Sequence, residues 1–85
     1  MTRPILVKSG PEAARIATLT KREHEVVSLL SEGLQNKQIA SRLSISETTV
    51  RHHLTSIFDK LGIANRLELV IYAYRQGLAP IAFPG

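Results

Sequence analysis

Apolar residues recur at helical spacing in four segments of the chain, and the ends of each segment carry local signals. The first segment follows Thr20 and Glu23, which are spaced as a capping box, and Gly33 suits its C-terminal end. A helix from Lys21 to Glu32 is therefore expected. Its apolar positions are Val26, Val27, Leu30 and Leu34.

Two further helices are expected close together. Asn36 is a suitable N-cap for a short second helix that ends at Leu43. Ser46 is a good N-cap for a longer third helix over residues 47–61, and Gly62 ends it. One apolar stripe runs along this third helix: Val50, Leu54, Ile57, Phe58 and Leu61.

The fourth predicted helix is apolar nearly all round. Asn65 and Glu68 are spaced as a capping box at its start, and Gly77 closes it. One apolar face holds Leu69, Val70 and Ala73; the other holds Leu67, Ile71, Tyr74 and Leu78. An exposed apolar face predicts a partner, and a homodimer through Leu67, Ile71, Tyr74 and Leu78 is the favoured interpretation. The alternative is a core helix packed under the N-terminal arm.

These patterns predict an all-α, compact four-helix domain over residues 19–78, since no strand-like alternation occurs. Residues 1–18 are expected to be a flexible arm or linker, with one helical turn allowed from Pro11 to Ile16. An inert leader is an equal alternative for this arm. Residues 79–85 carry two prolines and are expected to be an irregular tail.

The second and third helices are spaced as a helix-turn-helix, with a three-residue connection. Ala40 is small where two helices must cross, and Ile45 can plug the core from the turn. The outer face of the third helix is polar, and Arg51 on it can donate two hydrogen bonds to guanine in the major groove. That face comprises Thr48, Arg51, His52 and Thr55. The plain alternative is a solvated face of a core helix, which the turn geometry disfavours.

Composition sets further limits. The 85 residues suffice for one small domain, and the net charge of +4 favours an anionic partner without identifying it. No cysteine is present, so a reducing cytoplasm is the expected setting. Adjacent histidines His52 and His53 lie about 100° apart on a helix, so they do not chelate one metal. No metal site, cofactor or catalytic residue is expected.

Four ordered runs of residues resemble the LuxR-type (GerE-like) DNA-binding domain of bacterial transcription regulators. They are residues 19–23, 33–40, 43–53 and 60–66, and the resemblance extends from Leu19 to Leu78. It implies a four-helix domain, often located behind a receiver domain or a ligand-binding domain. The third helix would enter the major groove and the fourth would form a dimer. The implied partners are double-stranded DNA, a second copy and RNA polymerase, with no membrane partner.

The resemblance also implies roles for single residues. The base-reading positions fall on Arg51, His52 and Thr55. The backbone-contacting positions fall on Asn36, Lys37, Thr48, Thr49 and Lys60. Some members of the family carry lysine where this chain has Thr55, and the His52 position varies. The operator sequence therefore does not carry over.

Three alternative functions make different predictions. Region 4 of sigma factors has a similar helix-turn-helix but ends soon after its recognition helix, whereas residues 62–78 here supply a further helix. A protein-interaction module using the fourth helix would lack salt-dependent affinity for DNA. An enzyme is disfavoured, since no convergent nucleophile, base or phosphate-binding glycine loop occurs.

Overall fold

The computed structural model describes residues 11–79, which form five helices and no strand. The helices are α1 (Pro11–Ala17), α2 (Lys21–Ser31), α3 (Asn36–Leu43), α4 (Glu47–Leu61) and α5 (Arg66–Arg75). The all-α prediction is confirmed, and the four expected helices correspond to α2–α5. Residues 1–10 of the predicted arm and 80–85 of the predicted tail lie outside the described range.

Local capping explains where α2 and α5 begin. Thr20 Oγ1 accepts from the Glu23 N–H at 3.0 Å, and Glu23 Oε1 accepts from the Thr20 N–H at 2.8 Å, so the predicted capping box is confirmed. Asn65 Oδ1 accepts from the Glu68 N–H at 3.0 Å. The Glu68 carboxylate binds the N–H of Ala64 rather than that of Asn65. The expected box at α5 is therefore displaced by one residue.

The start of α3 differs from the prediction. Gln35, not Asn36, is the N-cap residue, and its N–H donates to Gln38 Oε1 at 2.8 Å. The Gln38 side chain accepts from the N–H of the N-cap residue, as a glutamate at this position does in a capping box. Asn36 is thus the first helical residue, and its side chain is available for another contact.

One hydrophobic core lies between α2, α3, α4 and α5. Its fully buried members come from the apolar stripes that helical spacing predicts: Val26, Val27, Leu30, Ile39, Val50, Ile57, Leu61, Leu69 and Ala73. Ile45 packs against this core from the α3–α4 turn, as predicted. Because all four helices contribute to a single core, the orientation of α4 is fixed by packing along its whole inner face.

α1 extends the domain beyond the four predicted helices. The single turn expected between Pro11 and Ile16 is a seven-residue helix that packs on α4, with Ile16 against the core. The Tyr72 hydroxyl donates to Glu12 Oε1 at 2.6 Å and ties α1 to α5. Burial, reinforced by this carboxylate, raises the pKa of Tyr72 above its ordinary range. Among residues 11–79, no helix is long and apolar enough to cross a membrane.

Candidate nucleic-acid interface

The exposed face of α4 is polar throughout its first three turns. Thr48, Arg51, His52 and Thr55 are all exposed, as predicted, while the opposite face of the helix is buried in the core. Arg51 Nη2 donates to Thr48 Oγ1 at 3.2 Å, so the guanidinium is held along this face one turn nearer the helix start. The four side chains therefore form one continuous polar row.

An N-cap at Ser46 and a tight turn at Ser44 fix the start of α4, where this row begins. Ser46 caps α4 by accepting from the Thr49 N–H at 3.0 Å, and its hydroxyl also lies 2.9 Å from the Thr49 hydroxyl. Ser44 adopts the left-handed conformation at φ 58° and turns the chain sharply between α3 and α4. That conformation costs a non-glycine residue about 1–2 kcal/mol, so the packing of the turn must offset it. Ile45 N–H donates to Ala40 O at 2.9 Å and closes the turn.

The two residues of α3 that are predicted to contact the DNA backbone, Asn36 and Lys37, differ in their surroundings. Lys37 is exposed. Asn36 is half-buried, and its Oδ1 accepts from Arg66 Nη1 at 2.8 Å. The start of α3 thus presents an exposed positive charge at Lys37 and a side-chain amide at Asn36 that is bound by Arg66.

Lys60 has internal partners. Its Nζ donates to Glu23 Oε1 at 2.7 Å and to Thr18 O at 3.0 Å. Ser56 Oγ donates to the other oxygen of the same carboxylate at 2.8 Å. A contact of Lys60 with the DNA backbone stays a prediction, but any such contact must compete with this ion pair.

Burial by itself would raise the pKa of Glu23, whose side chain is only 5% exposed. Hydrogen bonds from Lys60, the Thr20 N–H and Ser56, together with the positive charge of Lys60, outweigh burial and lower this pKa to about 2. Sequence reasoning identified Glu23 only as a capping residue. A signal was present, since Glu23, Val26, Val27 and Leu30 share the spacing of one helix face.

The two faces of α5 are divided as the spacing predicts. Leu69 and Ala73 are buried, whereas the outer face is exposed: Leu67 by 68%, Ile71 by 45% and Tyr74 by 58%. Leu78 does not continue this outer row. α5 ends at Arg75, Gly77 turns the chain at φ 74°, and the Leu78 N–H donates back to Ala73 O at 2.8 Å. Leu78 then packs partly against the core.

The described residues contain no group of three His, Cys, Asp or Glu side chains placed to hold a metal ion. A surface depression lined by Lys21, His24 and Arg42 among others has a volume of about 610 Å³.

Comparison with known proteins identifies the family. The family described as bacterial regulatory proteins, luxR family, matches residues 17–73. An HTH-type transcriptional regulator of Mycobacterium bovis is 53% identical over 60 residues, which make up 71% of this chain and 7% of that protein. The transcriptional regulatory protein LiaR of Bacillus subtilis is 41% identical over 70 residues, or 82% of this chain and 33% of LiaR. The chain therefore spans only a small part of the length of these relatives.

Two solved structures have the same fold. The response regulator ChrA of a heme-sensing two-component system matches 72% of this chain and 30% of its own, with a TM-score of 0.67 and 44% identity. The transcription factor GerE matches 73% of this chain and 92% of its own, with a TM-score of 0.66 and 37% identity. The chain belongs to the luxR family of bacterial regulatory proteins, and it is a helix-turn-helix domain of the kind with which that family binds double-stranded DNA.

Proposed function

We propose that this domain reads operator DNA by placing α4 in the major groove, with Arg51, His52 and Thr55 at the base edges. The exposed polar row of α4 is the observation that carries the proposal. A major groove about 12 Å wide admits an α-helix, and arginine is well suited to guanine because it can donate to O6 and N7 together. Thr48 can hold the Arg51 side chain along the row by the bond they share.

Backbone contacts would come from the residues that flank this row. Asn36, Lys37, Thr48 and Thr49 are proposed to contact phosphates and so set the register of α4 in the groove. Of these, Lys37 supplies a full positive charge from an exposed position. Its contribution would be independent of the DNA sequence and sensitive to salt.

We also propose that two copies pair through the outer face of α5. Leu67, Ile71 and Tyr74 supply an exposed apolar row, whereas Leu78 packs against the core and is not part of it. Pairing about a two-fold axis would place two α4 helices on half-sites about 10–10.5 bp apart. The relatives named above suggest a transcription regulator, and the response regulator ChrA among the similar structures suggests control by a receiver domain. Contact with RNA polymerase stays a prediction from the family.

The test is selection of bound sites from random duplexes, followed by binding of Arg51→Ala to the best site and to random DNA. A bidentate contact discriminates against the wrong base by about 1–3 kcal/mol, so the variant should lose about 5-fold to 150-fold on the best site. Random DNA should be affected far less. Arg42→Ala, which removes an equal charge from an exposed position in α3, is the control and should leave base preference unchanged. An equal loss on both DNAs for Arg51→Ala would refute base reading by this residue.

A further inference from the structure

Arg66 joins the first turn of α5 to the start of α3. Its Nη1 donates to Asn36 Oδ1 at 2.8 Å, and its Nη2 donates to Leu34 O at 2.7 Å. The two acceptors lie two residues apart at the α2–α3 connection, and both bonds are partly buried. The planar guanidinium thus binds this connection through both of its terminal nitrogens, in a fixed geometry that a lysine ammonium cannot reproduce.

The chemistry of arginine decides how the Asn36 amide is oriented. A guanidinium carries five N–H donors and no acceptor, so the group it meets on Asn36 must be the carbonyl oxygen. The amino end of the same amide, Nδ2, carries two donors and is turned away from Arg66. A phosphate oxygen only accepts hydrogen bonds, so this donor end is the one that a DNA backbone requires.

The position of Arg66 supports a dedicated role. Arg66 is the first residue of α5, where the partial positive charge of the helix dipole disfavours a cation. Glu68 in the same turn is the residue type that this position favours. The cost of Arg66 is offset by its two bonds to the α2–α3 connection. The next residue, Leu67, begins the exposed apolar row of α5, so one turn of helix borders both proposed surfaces.

We propose that Arg66 is a positioning residue for DNA binding, which acts by holding the Asn36 side-chain amide with its donor end free for a phosphate. The inference rests on the proposed backbone contact of Asn36. It assigns Arg66 no DNA contact of its own. Any change in α5 that displaces Arg66 would also release the Asn36 amide.

The experiment measures affinity for a duplex of random sequence, because phosphate contacts do not depend on the bases. Arg66→Lys keeps the charge and loses the paired geometry. It should weaken binding about 2-fold to 10-fold, the range of one hydrogen bond. In an Asn36→Ala background the same substitution should change affinity less than about 2-fold, since the group it positions is gone. The slope of log K against log salt should stay unchanged, because no charge is removed.

Two readouts keep the inference testable. If Arg66→Lys weakens DNA binding by the same factor in the parent and in the Asn36→Ala background, the inference is overturned, because Arg66 would then act through stability or through its own contact with DNA. Proton NMR of the Asn36 side-chain amide provides the second readout, with Arg66→Gln as an alternative variant should Arg66→Lys fail to fold. The two Asn36 amide protons should shift on addition of duplex in the parent and not in the Arg66 variant. Absence of that shift in the parent would also overturn the inference, whereas failure of the parent to bind any duplex would refute the proposed function itself.

Discussion

Glu23 should make the stability of this domain strongly dependent on pH. Its pKa falls from an ordinary 4.5 to about 2 in the folded protein, because the bonds from Lys60, Thr20 and Ser56 outweigh the effect of burial. At about 1.4 kcal/mol per pKa unit, the ionised form contributes about 3 kcal/mol to the free energy of unfolding. A folded pKa below the unfolded one gives stability that is complete above about pH 4.5 and is lost as the pH falls through about 2.

The perturbation is Glu23→Gln, followed by urea unfolding with circular dichroism from about pH 7 to about pH 2. At pH 7 the variant should lose up to about 3 kcal/mol, since Lys60 keeps its charge beside a neutral amide. The difference between parent and variant should shrink by about 2 kcal/mol at about pH 3. A domain of this size has only about 4–13 kcal/mol to lose, so the effect is large enough to measure.

The Arg22–Glu25 ion pair supplies a matched control. It spans 3.3 Å between side chains that are each 42% exposed, so solvent screens it. Glu25→Gln should change the free energy of unfolding by less than about 1 kcal/mol at about pH 7. A constant difference between the parent and Glu23→Gln over the whole pH range would refute the assigned role of the Glu23 charge.

Two further predictions concern DNA binding and association. Lys37→Ala should lower the slope of log K against log salt by about 0.9. Lys60→Ala should chiefly lower the free energy of unfolding. A full unit lost from the salt slope for Lys60→Ala would instead show that the Lys60–Glu23 ion pair opens on DNA. Ile71→Glu should abolish cooperative binding to two half-sites in a titration and leave single half-site binding intact, because two like charges would face each other. Ala14→Glu adds the same charge at an exposed position of α1 and should leave cooperativity unchanged. Unfolding by Ile71→Glu would place Ile71 in the core instead.

The starts of α2 and α4 were predictable because the signals that set them are local. Thr20 and Ser46 accept from backbone amides only three residues away, so their roles as N-caps can be predicted from the sequence alone. The error at Leu78 has the opposite cause. Apolar spacing was extended past Gly77, where a left-handed residue reverses the chain and ends the helical register.

Long-range polar contacts could not be predicted from the sequence. Lys60 and Glu23 are 37 residues apart, and Arg66 and Asn36 are 30 apart. Each contact depends on the angle at which two helices cross, and helical spacing does not fix that angle. The sequence therefore indicated which residues face solvent on α4 but not which polar groups hold the helix in place.

The internal polar contacts of α4 and its proposed reading residues occupy different parts of the helix. Ser56 and Lys60, in its second half, bind the buried carboxylate of Glu23 on α2. The exposed row from Thr48 to Thr55 lies mainly in the first half, where the described contacts of Arg51 stay within α4. The residues of the exposed row are not part of the core that fixes α4 along its inner face, so they can change without disturbing the position of the helix. If Arg51 reads bases as proposed, operator preference can change through this residue while the position of α4 on α2 stays fixed.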